Sequence, residues 1–238
     1  MTHALLPLKD LVRAKTRLAG ILAPFERRAL AQAMVEDVLA VLSSHSALEG
    51  TLLVSDDAGA DLLARKYKVE LLVESALPVT GLNQVLNAGC ERLAMRGVED
   101  VVIVHSDLPL LSSAAVSTLL SRYHARDKTV VISPDRLLQG TNVLVTSTRD
   151  HPEFRYGPDS CSYHRLAARE RGYSVDIVLL PATGLDVDTP ADLLDLSMAS
   201  GVGVHTGRFL AQDSIRRRLA VMIEAAQSAL HAANGGEA

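Results

Sequence analysis

Short runs of apolar residues alternate along the chain with longer segments in which apolar positions recur at helical spacing. That alternation is typical of parallel β-strands joined by crossover helices. The runs predicted as strands are HALLP, GTLLVS, VELLV, DVVIVHS, TVVISP, NVLVT and YSVDIVLLP. The segments predicted as helices lie near residues 24–45, 57–67, 82–96, 112–126, 158–171 and 190–199.

Two strand cores, TLLV and VVIV, are apolar at successive positions, as expected where helices cover both faces of a sheet. The pattern therefore predicts a single α/β domain with a doubly wound sheet. Ligands of such sheets bind beyond the carboxyl ends of the strands, so residues that follow apolar runs are the candidates for chemistry. These are the segments PLKDLVRAKTRL, SDD, SDLP, QGTN and LDVD.

The C-terminal segment carries an apolar stripe at helical spacing opposite the basic run RRR. Its members are Ile215, Leu219, Met222, Ile223, Ala226 and Leu230. The stripe suits either a helix packed on its own domain or the contact of a homodimer. We therefore divide the chain into a main domain, residues 1–204, and a helical extension, residues 205–238, whose last residues NGGEA are expected to be disordered.

The composition argues against several classes of binding partner. The 238 residues include 24 Lys plus Arg against 28 Asp plus Glu, a net charge of -4, so no overall positive field attracts nucleic acid or an anionic membrane. Aromatic residues make up 3% and Trp is absent, which argues against base stacking. Two cysteines, no signal peptide and no membrane-spanning apolar run predict a cytoplasmic protein.

A basic segment follows the first predicted strand. Lys9, Arg13, Lys15 and Arg17 fall within nine residues of an otherwise acidic chain. The segment is either a local phosphate site or a solvated basic loop. The chain has neither a P-loop nor a dinucleotide fingerprint, so cationic side chains would replace the glycine-rich cradle.

Carboxylates occupy two of the other segments. Asp107 follows VVIVHS, and Asp186 and Asp188 alternate in LDVDTP, so the latter two point to the same side of an extended segment. Each has a structural alternative as a turn residue or a helix cap. Three converging carboxylates would repel one another unless a divalent cation joined them, and Mg²⁺ prefers oxygen ligands shared with substrate phosphates.

Two segments combine small residues with hydroxyl groups. QGTNVLV contains Gly140, Thr141 and Asn142, and YGPDSC contains Gly157 and Ser160 at a predicted helix start. Helix N-termini and hydroxyl groups bind anions, although each segment could equally be a turn followed by a cap. The histidines, including His105, His151 and His164, lack metal-binding spacing and are predicted as core or surface residues.

The ordered set of segments resembles the 2-phospho-L-lactate guanylyltransferase family of coenzyme F-420 biosynthesis, which includes phosphoenolpyruvate and 3-phospho-D-glycerate guanylyltransferases. The resemblance covers residues 4–196 and rests on LLPLKDLVRAKTRL, LVSDD, LNQVLNAG, HSDLPLL, SPDRLLQGTNVL, FRYGPDSCSYH and LDVDTPADL. It implies a Rossmann-like, doubly wound mixed sheet of the nucleotide-diphospho-sugar transferase type. Residues 1–204 would then be a nucleotidyltransferase domain.

The resemblance also implies roles for particular residues. Mg²⁺ would be held by Asp107, Asp186 and Asp188, and the phosphorylated acid by Thr141, Asn142, Gly157, Asp159 and Ser160. Catalytic contacts to the GTP phosphates would come from Lys9, Lys15 and Arg17. The nucleotide would further meet Leu8, Ser55 and Asn83. The implied reaction is attack of the acid's phosphate on the α-phosphorus of GTP, with release of pyrophosphate.

One departure from the family pattern bears on the acceptor. Asp159 stands where the family usually has glycine, and a carboxylate there would suit a substrate hydroxyl, which favours 3-phospho-D-glycerate over 2-phospho-L-lactate and phosphoenolpyruvate. Two alternatives remain open at this point. One is a nucleotidyltransferase of the same fold with another base or acceptor, such as the molybdenum-cofactor type, and the other is a non-catalytic GTP-binding module.

Overall fold

The structure is a computed structural model of the chain and describes residues 1–234. The strands are β1 Thr2–Leu8, β2 Gly50–Ser55, β3 Glu70–Leu72, β4 Asp100–Val104, β5 Thr129–Pro134, β6 Thr141–Ser147 and β7 Ser174–Ile177. The helices are α1 Pro24–Ser44, α2 Ala60–Tyr67, α3 Leu82–Met95, α4 Ser113–Arg122, α5 Ser160–Glu170, α6 Pro181–Gly184, α7 Pro190–Met198, α8 Val204–Leu210 and α9 Asp213–Asn234.

The strands form one mixed sheet in the order β3-β2-β1-β4-β6-β5-β7. β6 pairs antiparallel with both of its neighbours, β4 and β5, while the other pairs are parallel. The mixed sheet in a single α/β domain confirms the predicted fold class. The all-parallel pattern suggested by hydrophobic periodicity is wrong for β6, because an apolar run does not encode the direction of a strand.

Helices cover both faces of the sheet, so neighbouring residues of one strand enter different cores. Leu6 of β1 packs among residues of α1, α2 and α4, and Leu5 packs among residues of α3 and α5. Both leucines are fully buried. The continuous apolar runs are therefore explained by burial on two sides.

Several predicted helices and strands are shorter in the structure. The helix expected from residue 57 begins at Ala60, because the Asp57 carboxylate accepts hydrogen bonds from the backbone N–H groups of Gly59 and Leu11. The strand expected through YSVDIVLLP ends at Ile177, and Pro181 opens the short helix α6. No helix among residues 1–234 is long and apolar enough to cross a membrane.

The C-terminal helices pack on the main domain. Phe209, Ile215 and Leu219 share a buried cluster with residues of α1 and α7. The Asp37 carboxylate on α1 accepts hydrogen bonds from the backbone N–H groups of His205 and Thr206, each at 2.8 Å. Part of the predicted stripe thus packs against its own chain, whereas the side chains of Ala226 and Leu230 and most of NGGEA lie outside the described residues. The domain division at residue 204 and the homodimer stay predictions.

Candidate active site

The mixed sheet brings the ends of three strands to one edge. β1 and β4 run parallel, so Leu8 and His105 lie at the same edge. β6 runs in the opposite direction, so its first residues, Thr141 and Asn142, reach that edge as well. The backbone N–H of His105 donates to the carbonyl oxygen of Asn142 at 3.1 Å, which fixes this register.

A cleft of about 700 Å³ opens at this edge. Its lining combines basic residues, carboxylates, and small and hydroxyl-bearing residues. The predicted site residues that line it are Leu8, Lys9, Lys15, Asp107, Thr141, Asn142, Gly157, Ser160, Asp186 and Asp188. The sequence segments after the apolar runs therefore do meet in space.

The basic segment folds back over the cleft in two single 3-10 turns, Leu11–Arg13 and Thr16–Leu18. The backbone N–H of Leu11 donates to the Asp57 carboxylate at 2.8 Å, which ties the segment to the end of β2. Between the turns, Lys15 has a φ of 55°, in the left-handed region that costs an L-residue roughly 1 kcal/mol or more. This strained backbone directs the Lys15 side chain inward.

The Lys15 ammonium group lies between two carboxylates. Its Nζ is 2.6 Å from Asp107 Oδ2 and 2.8 Å from Asp188 Oδ1, and only 8% of the side chain is exposed. Burial on its own would lower the pKa of Lys15, but the charges of Asp107 and Asp188 outweigh burial and raise that pKa above its usual range. Burial would raise the pKa of Asp107, yet Lys15 holds it below its usual value. Lys15 and Asp107 are therefore both charged at neutral pH.

The other carboxylate of LDVDTP has a different partner. Asp186 Oδ1 accepts a hydrogen bond from Asn142 Nδ2 at 3.2 Å. Burial, together with the charge of Asp107, raises the pKa of Asp186. Thr189 is the N-cap of α7, which leaves Asp188 free to face the cleft. Among residues 1–234, no group of three or more His, Cys, Asp or Glu side chains is placed to hold a metal ion by itself.

Another part of the cleft is built by the start of β6 and the start of α5. Ser160 Oγ accepts a hydrogen bond from the backbone N–H of Thr141 at 2.9 Å, which joins the two segments. Gly157 has a φ of 142°, a conformation that L side chains rarely adopt, so the turn before α5 needs glycine. Thr141 and Ser160 are both buried and both line the cleft.

Other predicted site residues are placed outside the cleft lining. Ser55 is buried, and its Oγ accepts a hydrogen bond from the backbone N–H of Asp57. The Asn83 side chain binds both backbone polar groups of Tyr156. The Arg17 side chain is 73% exposed, with Nη1 4.0 Å from Asp188 Oδ2. Asp159 is exposed at a φ of 55°, and its side chain does not cap α5. Their assigned contacts stay predictions.

Three aromatic rings at the cleft were not assigned to the site from the sequence. The ring of Tyr156 lies 5.2 Å from that of His105 and 4.6 Å from that of His164. His105 and Tyr156 line the cleft, and His164 Nδ1 is 2.9 Å from Thr141 Oγ1. The motif FRYGPDSCSYH contains Tyr156 and His164, but only the fold shows that His164 meets Thr141.

Comparison with known proteins identifies the family. The family model described as "Guanylyl transferase CofC like" matches residues 2–229. The phosphoenolpyruvate guanylyltransferase of Conexibacter woesei is 40% identical over 215 residues, 89% of this chain and 96% of the relative. The 2-phospho-L-lactate guanylyltransferase of Methanothermobacter thermautotrophicus is 34% identical over 209 residues, 88% of this chain and 89% of the relative.

A solved structure supports the fold independently. A Desulfovibrio desulfuricans G20 protein, described as a candidate nucleotide-diphospho-sugar transferase, superposes with a TM-score of 0.70. It covers 94% of this chain and 95% of its own chain at 17% identity, so the likeness concerns the fold alone. The family match reaches into α9, beyond the residues that carried the resemblance in the sequence. The chain belongs to the CofC-like guanylyl transferase family, and is therefore a nucleotidyltransferase.

Proposed function

We propose that this protein transfers GMP from GTP onto the phosphate of a three-carbon phospho-acid and releases pyrophosphate. The observation that carries the proposal is the meeting of Lys15, Asp107 and Asp188 in one cleft that Thr141 and Ser160 also line. The charged residues therefore suit a polyphosphate with its counter-charges, and the hydroxyl-bearing residues suit a small anion.

The basic residues of the cleft support the binding of the GTP polyphosphate. Lys9 and Arg13 line the cleft beside Lys15, and Arg17 lies at its outer edge near Asp188. Transfer of a nucleotidyl group places negative charge on the leaving pyrophosphate, and fixed cations stabilise that charge where it develops. These residues would hold the β- and γ-phosphates while the α-phosphorus faces the middle of the cleft.

The reaction needs no general base. At neutral pH a phosphate oxygen of the phospho-acid is already an anion and can act as the nucleophile. A new P–O bond forms between that oxygen and the α-phosphorus, and the bond between the α-phosphorus and its bridging oxygen to the β-phosphate breaks. Pyrophosphate leaves with that electron pair, and the acid stays linked to GMP through a diphosphate.

The carboxylates suit Mg²⁺ that arrives with the nucleotide. Mg²⁺ is commonly held by one or two carboxylates together with substrate phosphate oxygens and water. Asp107 and Asp188 already converge on one cation, the Lys15 ammonium group, and Asp186 lies beside them. When bound, Mg²⁺ would neutralise charge on the transferring phosphates. Lys15 would then be free to turn towards the GTP phosphates.

The acceptor belongs to the group of small phospho-acids named in the relatives. The relative from Conexibacter woesei supports phosphoenolpyruvate as the first acid to test. The preference for 3-phospho-D-glycerate rested on Asp159, which is exposed and does not line the cleft, so the structure adds no support for it. A place in coenzyme F-420 biosynthesis follows from the family resemblance.

The test is a matrix of nucleotides and acids. Purified protein is incubated with MgCl₂, one of GTP, ATP, CTP or UTP, and one of phosphoenolpyruvate, 2-phospho-L-lactate or 3-phospho-D-glycerate. We expect pyrophosphate release only with GTP and one preferred acid. Equal release with CTP would favour a nucleotidyltransferase of different base specificity. GTP binding without pyrophosphate release in any combination would contradict the proposal and favour a binding module.

A further inference from the structure

The His164 ring is held in one tautomer by the backbone. Its Nε2 lies 2.9 Å from the backbone nitrogen of Arg155, whose N–H can only donate. Nε2 must therefore accept and carries no proton. Burial, with a contribution from His105, lowers the pKa of His164 to about 4, so the ring is neutral at pH 7. The single ring proton is consequently on Nδ1.

That proton fixes the direction of the next hydrogen bond. His164 Nδ1 lies 2.9 Å from Thr141 Oγ1, so Nδ1–H donates and the hydroxyl oxygen accepts. The hydroxyl hydrogen must then point away from the ring. No other side chain or carbonyl group among residues 1–234 forms a hydrogen bond with Thr141 Oγ1, and Thr141 lines the cleft. The hydroxyl is left as a donor towards a ligand.

Ser160 is oriented in the same way. Its Oγ accepts the backbone N–H of Thr141 at 2.9 Å, so its own hydrogen is also directed elsewhere. Both residues line the cleft, and the hydrogen bond between them makes them neighbours. Two neighbouring donors suit a ligand group with two acceptor oxygens and no hydrogen, and an ionised carboxylate is such a group.

We propose that His164 is a positioning residue that makes the Thr141 hydroxyl a hydrogen-bond donor towards the phospho-acid, whose binding by Thr141 and Ser160 is already implied by the family resemblance. This rests on the proposed function, because the ligand is the acceptor of that reaction. His164 is fully buried and does not line the cleft. It acts through Thr141, and the backbone of Arg155 sets its tautomer.

Two substitutions separate the two hydrogen bonds of His164. The Asn side chain places a nitrogen donor near the position of Nδ1, whereas the Gln side chain reaches the position of Nε2. His164→Asn therefore keeps a donor for Thr141 and loses the acceptor for Arg155. His164→Gln keeps the acceptor for Arg155 and loses the donor for Thr141. Both remove the ring, so they share the cost of the lost packing against Tyr156.

Steady-state kinetics with GTP and phosphoenolpyruvate test the proposal. We expect His164→Gln to raise the KM of phosphoenolpyruvate roughly tenfold, since one hydrogen bond to a charged group is weakened, while the KM of GTP stays within twofold. We expect His164→Asn to restore most of the acceptor KM. Equal KM values for phosphoenolpyruvate in the two variants would overturn the proposal.

A double-mutant cycle distinguishes the proposed role of His164 from a purely structural effect of its substitution. Thr141→Val removes the hydroxyl at nearly constant volume. If His164 acts through that hydroxyl, His164→Gln adds no further rise in the acceptor KM in the Thr141→Val background. Additive rises would show that His164 acts otherwise and would overturn the proposal. Wild-type protein without pyrophosphate release would instead refute the proposed function, so the two failures are distinguishable.

Discussion

Lys15 Nζ lies 2.6 Å from Asp107 Oδ2, although 92 residues separate them along the chain. The contact joins the basic segment after β1 to the end of β4, and Asp188 completes it from the segment before α7. Lys15 thus lies between the two carboxylates that would hold Mg²⁺ in the proposed reaction. This relationship is the basis of two predictions.

The first concerns competition between Lys15 and Mg²⁺. Lys15→Met leaves Asp107 and Asp188 facing each other without the ammonium group, so a divalent cation should bind this variant more tightly in the absence of nucleotide. We expect MgCl₂ to raise the Tm of Lys15→Met by several degrees more than that of the wild type. The matched control is Lys9→Met, which removes an exposed charge from the same cleft. A magnesium response of Lys15→Met equal to that of wild type would contradict the prediction.

The second concerns catalysis. Asp107→Asn, Asp186→Asn and Asp188→Asn each remove a charge at nearly constant volume, so we expect kcat for pyrophosphate release to fall by roughly a hundredfold or more while the protein stays folded. Circular dichroism checks the fold. Asp61→Asn, which removes an exposed carboxylate of α2, should keep normal turnover. Near-normal turnover in all three cleft variants would show that these carboxylates do not take part in the reaction.

The packing of the C-terminal helices on α1 can be tested with two glycines. A Cβ on Gly203 would overlap the Asp37 carboxyl group, whereas a Cβ on Gly207 meets no atom within 4 Å. We expect Gly203→Ala to lower the free energy of unfolding by about 2 kcal/mol. Gly207→Ala, within α8, should be neutral or add up to about 1 kcal/mol. Urea unfolding that shows equal stability for the two variants would contradict the docking of α8 on α1.

The pKa of His164 predicts how stability depends on pH. Because burial lowers that pKa from 6.5 to about 4, the unfolded chain binds a proton below pH 6.5 while the folded protein binds it only near pH 4. The free energy of unfolding should therefore fall as the pH drops through this window, by on the order of 3 kcal/mol from this group. Urea unfolding at pH 7, 6, 5 and 4 should show a shallower decline for His164→Asn. An equal decline of the free energy of unfolding in the wild type and in His164→Asn would show that folding does not lower the pKa of His164.

Asp159 offers a test of acceptor preference. Its backbone φ of 55° favours glycine, so Asp159→Gly should raise the free energy of unfolding by about 1 kcal/mol. Because the carboxylate does not line the cleft, we expect the ratio of kcat/KM for 3-phospho-D-glycerate over phosphoenolpyruvate to stay within twofold. A roughly tenfold fall in that ratio would mean that Asp159 pairs with the substrate hydroxyl, as the sequence-based preference for 3-phospho-D-glycerate requires.

Much of the fold and the location of the cleft follow from the sequence. Continuous apolar runs mark strands buried on both faces, and polar residues directly after them mark the sheet edge where ligands bind. Asp107 could be placed at this edge for this reason, whereas Asp188 follows the short helix α6 and its role, like that of Lys15, was implied by the family resemblance. Periodicity could not give the direction of β6, which places Thr141 at that edge although it begins its strand.

The sequence also could not show in which direction individual side chains point. Ser55 lies at the end of an apolar run, as Asp107 does. Its hydroxyl oxygen nevertheless accepts a hydrogen bond from the backbone N–H of Asp57. His164 has no metal-binding spacing and was predicted as an ordinary core or surface residue. Its role depends on the Arg155 backbone and on a strand 23 positions away, contacts that no local pattern contains.

The most direct test of the account is ³¹P NMR of wild-type protein incubated with GTP, MgCl₂ and phosphoenolpyruvate. Attack on the α-phosphorus predicts one equivalent of free pyrophosphate for each product molecule, and the product should show two mutually coupled phosphorus signals of a new diphosphate. Formation of GDP with orthophosphate, or the absence of any new diphosphate with all three phospho-acids, would contradict guanylyl transfer.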